Sequence, residues 1–108
     1  SYINDGTGSY MAAGSIPSAT LCNEPTNRGI ALGDIDGDGQ TDAVVGNDCD
    51  GSLHVAFGTA MGTFDGIVQL PPSTLGADET EDVYIGNYDG DAYTDIFAYD
   101  FGAFSVYY

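Results

Sequence analysis

Asp34-Ile35-Asp36-Gly37-Asp38-Gly39-Gln40-Thr41-Asp42 runs into the apolar stretch Ala43-Val44-Val45, and the arrangement returns at Asn87-Tyr88-Asp89-Gly90-Asp91-Ala92-Tyr93-Thr94-Asp95 ahead of Ile96-Phe97-Ala98-Tyr99. Positions one, three, five and nine of each stretch carry a side-chain oxygen, and position seven, Gln40 or Tyr93, offers its backbone carbonyl. Ca²⁺ takes about six to eight oxygens at about 2.3 to 2.6 Å, so a short loop must turn sharply to supply several of them. Without a cation, each pair of carboxylates about 4 Å apart repels by about 1 kcal/mol in water and about 4 kcal/mol at a surface-like effective dielectric. Several such pairs rival the roughly 5 to 15 kcal/mol that holds a domain together. Calcium is therefore expected to complete the fold. Solvated acidic turns are the alternative, since Asp and Gly are ordinary turn residues, but two copies in one register argue for ligation.

The context is β rather than helical. An EF-hand needs a bidentate acid at position twelve of its loop, and here that position holds Val45 and Ala98. The runs that follow the loops are short and rich in β-branched and aromatic residues, which favour strands.

Working outward, the chain aligns with itself at two close offsets. Gly33 falls on Gly86 and Thr41-Asp42 on Thr94-Asp95, while Gly8-Ser9-Tyr10 falls on Gly62-Thr63-Phe64 and Thr20-Leu21 on Thr74-Leu75. A period of this size signals a propeller, solenoid or similar array. Each repeat reads as four short strands: A at 30–33, B at 42–46, C at 53–57 and D at 67–70. The second copy supplies A at 83–86, B at 96–99 and C at 104–108. A further C and D pair opens the chain, at Tyr2-Ile3 and 10–16, joined by the turn at residues 4–8. The repeat division is 1–54 and 55–108, with the acidic loop linking A to B in both. In this phase the opening pair has no A and B before it, and the last blade has no D strand.

These pieces resemble the FG-GAP or VCBS repeats, which include the calcium-binding blades of integrin α-subunit propellers and related fungal lectins. The nine-residue loops carry the resemblance, together with Phe57-Gly58 at the end of strand C and Gly62-Thr63-Phe64. It implies an all-β fold of about two four-stranded antiparallel propeller-type blades, with calcium at the A to B turns, completed by neighbouring repeats or chains. It assigns a first calcium site to Asp34, Asp36, Asp38, the Gln40 carbonyl and Asp42. A second falls to Asn87, Asp89, Asp91, the Tyr93 carbonyl and Asp95. The second is expected to be weaker, because Asn87 removes a charge and Ala92 replaces Gly39. Were that position left-handed, a non-glycine would cost roughly 1 kcal/mol.

Composition narrows the partners. Seventeen acids against Arg28 alone give a formal charge of −16 over 108 residues, which argues against nucleic acid or an anionic membrane. No apolar stretch approaches the roughly 20 residues that span a bilayer. No charged leader precedes an apolar core at Ser1, so any secretion signal has been removed or lies outside this segment. Cys22 and Cys49 flank the first loop; a disulfide between them would close a loop of about 28 residues, worth about 3 to 4 kcal/mol, and free buried thiols are the alternative. Loops of this kind fill where calcium is millimolar, and with a disulfide they favour an oxidising, extracellular setting.

Catalytic groups are scarce. His54 is the only histidine and Lys is absent, so a zinc triad and Schiff-base chemistry are out of reach. Strand alternation sets His54 opposite its apolar neighbours, as a solvent-facing or interface residue. Glu24, Glu79 and Glu81 are candidates for a glycosidase carboxylate pair, and read more simply as solvated loop acids. The tyrosines gather in the second repeat, where most are expected to pack between blades. Tyr88 and Tyr93, inside the loop, are the candidates for exposed ligand contacts. The expectation is a non-enzymatic, calcium-stabilised extracellular module with a structural or adhesive role, joined head to tail with itself in a ring or fibre or embedded among adjacent repeats. A lectin-like module that binds glycans is the alternative.

Overall fold

The computed structural model describes residues 2–4, 6–12, 27–48, 51–71, 80–100 and 103–108. Cys22, Cys49, Glu24, Glu79 and the expected strand residues 13–16 lie outside them. Nine strands and no helix are formed by the described residues. They are β1 (Tyr2–Asn4), β2 (Tyr10–Ala12), β3 (Asn27–Gly33), β4 (Asp42–Asn47), β5 (Leu53–Gly58), β6 (Phe64–Leu70), β7 (Asp82–Gly86), β8 (Asp95–Asp100) and β9 (Ala103–Tyr107).

Every pairing is antiparallel. β3-β4-β5-β6 form a four-stranded sheet, β7-β8-β9 a three-stranded one, and β1-β2 a hairpin sheet of their own. The expected A, B, C and D strands thus appear in chain order as meandering, propeller-type blades.

Two strands begin earlier than the apolar runs suggest. β3 starts at Asn27 and β6 at Phe64, and each contains a register shift next to a glycine with positive φ, Gly29 (φ 67°) and Gly66 (φ 67°). A left-handed glycine at a bulge inserts one residue without ending the strand, so pairing continues past the point where alternation breaks.

Alternation gives each sheet two distinct faces. On the first sheet Val44, Leu53 and Val55 are buried and face Val83, Ile96 and Ala98 of the second, with Ala31, Ile85 and Tyr107 packed around them. β3 lies along β7. A Cβ at Gly29 would stand 2.8 Å from the Asp82 Cα, so this glycine is required by the close approach of the two backbones.

Of the two placements expected for His54, solvent-facing or interface, the first is corrected. His54 does point away from Leu53 and Val55, yet it is only 5% exposed. Its strand is an inner one, flanked by Val45 of β4 and Gln69 of β6 in register, and neighbours on both sides shield it from water.

Candidate metal centre

Strand β4 begins at Asp42 and β8 at Asp95, and those two side chains are almost fully buried. A buried charge must be hydrogen-bonded. Asp42 accepts from the backbone amides of Ile35 (2.7 Å) through Oδ2 and Gly58 (2.8 Å) through Oδ1. It therefore ties the loop's start to the end of β5. Gly58, the glycine of the Phe-Gly pair, is where β5 meets the loop: a Cβ there would collide with the Thr41 carbonyl. Asp95 accepts from the amides of Tyr88 (2.7 Å) and Asp89 (3.4 Å), both through Oδ2 and both from its own loop.

The remaining acids hold the loops in shape. Asp34 accepts from Gly37 (2.7 Å) and Gly39 (2.9 Å), one amide per oxygen. Asp36 accepts from Asp38, and Asp38 from Gln40. In the second loop Asn87 Oδ1 accepts from Gly90 (2.6 Å), Asp89 from Asp91, and Asp91 from Tyr93. Asn87 Nδ2 donates to the Asp91 carbonyl. These short amide-to-carboxylate turns explain why the acids sit at alternate positions.

Oxygens of Asp34, Asp36 and Asp42 lie within 4.8 Å of one another, as do those of Asp89, Asp91 and Asp95. Each triad can hold a metal ion. All the donors are carboxylate oxygens, the set a hard cation such as Ca²⁺ takes, with no thiolate or imidazole that would favour a softer one. The two triads differ in membership: the first draws on loop positions one, three and nine, the second on three, five and nine.

Gly37 and Gly90 occupy equivalent bends with nearly equal φ, 81° and 87°. Gly39 is also left-handed (φ 84°), but among the described residues none other than glycine has positive φ. Ala92 therefore carries none of the left-handed strain that its place opposite Gly39 suggests, because the second loop takes a different path there.

The two loops touch. Thr94 Oγ1 donates to the Asp34 carbonyl (3.1 Å), linking one repeat's loop to the other's. Sequence gives no signal for this bond, nor for the clamp made by Arg28. Its guanidinium pairs with Asp48 (3.1 Å), just after β4, and with Glu81 (3.4 Å), just before β7. Glu81 is thus an ion-pair partner of Arg28.

A family model of the FG-GAP-like repeat matches residues 34–98, from the first residue of the first loop into β8. That is more than half of the 108 residues. The chain belongs to the FG-GAP-like repeat family. No curated protein and no solved structure matches it. FG-GAP-like repeats are generally structural or binding modules and typically occur in extracellular proteins. No helix among the described residues is long and apolar enough to cross a membrane.

Tyr93 is the most exposed aromatic of the loops, at 76%, and Tyr88 stands half exposed with its ring 5.7 Å from that of Phe97.

Proposed function

We propose that this FG-GAP-like chain is an extracellular, calcium-stabilised module of structural or adhesive function that joins copies of itself head to tail, and that it is not an enzyme. The observation that carries the reading is the pair of oxygen-only triads, each set on a buried aspartate at the first residue of a strand. Calcium at each triad would neutralise carboxylates that otherwise repel, through Asp34, Asp36, Asp38, Asp42 and the Gln40 carbonyl in the first loop. Asn87, Asp89, Asp91, Asp95 and the Tyr93 carbonyl would serve the second. Millimolar extracellular calcium suits loops of this type.

Calorimetry with Ca²⁺ should resolve two sites, the second weaker. A ligand at about 100 times its Kd adds about 2.7 kcal/mol of stability, and in a domain of this size about 1 kcal/mol moves Tm by about 4 to 8 °C. Adding EDTA should therefore lower Tm by at least about 10 °C. A melting curve indifferent to chelator would remove the calcium reading.

Exposure of Tyr88 and Tyr93 favours a second reading, a lectin-like module that stacks sugars on those rings. Glycan-array binding that disappears in Tyr88→Ala would support it, and an array without hits would count against it.

A further inference from the structure

An apolar surface is exposed on each outer side of the packed sheets. On the first sheet Ile30, Leu32 and Ile67 are 44 to 62% exposed, while Ala43, His54 and Ala56 on the same face are buried, and register places all six on the face turned away from Val44 and Val55. On the second, Tyr84, Phe97 and Phe104 form a continuous aromatic surface with centroid spacings of 5.4 and 6.2 Å, turned away from Val83 and Ile96.

Repeat equivalence relates these faces to the interface already inside the chain. Strand pairing aligns Ile30 with Val83, Ala31 with Tyr84, Leu32 with Ile85 and Val44 with Phe97. The first sheet's buried face is therefore equivalent to the second sheet's exposed aromatic face. Conversely, the second sheet's buried face is equivalent to the first sheet's exposed aliphatic face. The internal contact is thus head to tail: it joins two different faces of one repeating unit, and each has an unused counterpart on the outside.

Resting on the self-association reading above, we infer that the aromatic face of Tyr84, Phe97 and Phe104 receives the aliphatic face of Ile30, Leu32 and Ile67 of a second copy, repeating the internal sheet-to-sheet junction. Such a heterologous contact propagates into a ring or a filament.

Hydrogen bonding at the rim agrees with this occupant. The ion pair of Arg28 with Glu81 across the internal junction is not repeated, because register sets Asp82, opposite Tyr99, where Arg28 lies opposite Gly46. Thr41, the equivalent of Thr94, would donate to the Asn87 carbonyl across the new junction as Thr94 does to Asp34. The copy of the junction is not perfect, since β7 has no counterpart of the bulge glycine Gly29, which admits the close backbone approach of β3 to Asp82, so the sheets would sit farther apart at that end.

The test uses Leu32→Asp and Phe104→Asp, each at a well-exposed side chain and each blocking one face. In calcium buffer, sedimentation velocity of the wild type should show species larger than a dimer. Each folded variant alone should run as the 11.2 kDa monomer, and an equimolar mixture should stop at twice that mass, because only one productive pair of faces remains. Ile30→Ser and Tyr84→Ser provide a milder second pair, with thermal melts confirming that the variants fold. If the wild type assembles but single variants still do so, or the mixture stays monomeric, the face assignment is wrong while self-association stands. A wild type that remains monomeric as its concentration rises overturns both.

Discussion

The two acidic loops share a spacing and differ in how they are anchored. Asp42 divides its two oxygens between its own loop and β5, through Ile35 and Gly58. Asp95 spends one oxygen on two amides of its own loop, the second at a long 3.4 Å. The first loop is stitched into a four-stranded sheet and the second mainly to itself. The lesson is that a repeated ligand pattern fixes the local turn, whereas the stability of the site depends on what the buried aspartate reaches.

The largest effect that would break or sharpen this contrast is loss of the buried acid. An unsatisfied buried hydrogen-bonding group costs about 1 to 3 kcal/mol. Asp42→Ala, which strands two well-made amide bonds, should destabilise the chain by about 2 to 6 kcal/mol. Asp95→Ala strands one good bond and one poor one, and should cost about 1 to 3 kcal/mol. Urea unfolding in EDTA isolates this difference from any metal contribution. Equal losses would show that the tie to Gly58 adds nothing.

Most of the architecture was legible in the sequence because it rests on local chemistry. The loops announce themselves through aspartates at alternate positions, and Ala43-Val44-Val45 and Ile96-Phe97-Ala98 mark the strands that follow. What escaped was non-local or conditional on backbone path. The early starts of β3 and β6 hide behind Gly29 and Gly66, whose isolated glycines read as breaks until their bulges are seen. The burial of His54 depends on strands on either side of it, which alternation along one strand cannot report. Ala92 looked strained only on the assumption that both loops take one path, and their φ angles show that they do not.

With the Ala92 argument gone, weaker binding at the second site rests on Asn87. Replacing it with Asp restores a charge at loop position one, and affinity in such loops follows the ligand charge count. Asn87→Asp should tighten the second site roughly tenfold, about 1.4 kcal/mol, and leave the first unchanged by calorimetry. The same substitution deletes the Nδ2 donor that bonds the Asp91 carbonyl and adds a repelling charge to an empty loop. It should therefore raise Tm in calcium and lower it in EDTA. A shift of the same sign in both buffers would mean that Asn87 acts only through loop structure.

The smallest expected effect concerns the bond that joins the loops. Thr94 belongs to the second loop, yet its hydroxyl donates to the carbonyl of Asp34, the first residue of the other. A net hydrogen bond of this kind is worth about 0.5 to 1.5 kcal/mol, toward the lower end here because the site is exposed. Thr94→Val should weaken calcium binding at the first loop by a few-fold, although the substituted residue lies in the second. Thr41→Val is the matched control, because within a single chain its hydroxyl makes no equivalent bond among the described residues. Measured at a dilution where copies are separate, it should leave the second loop's affinity unchanged. If Thr94→Val instead affects only its own loop, the contact with Asp34 holds the repeats side by side without passing any binding energy between them.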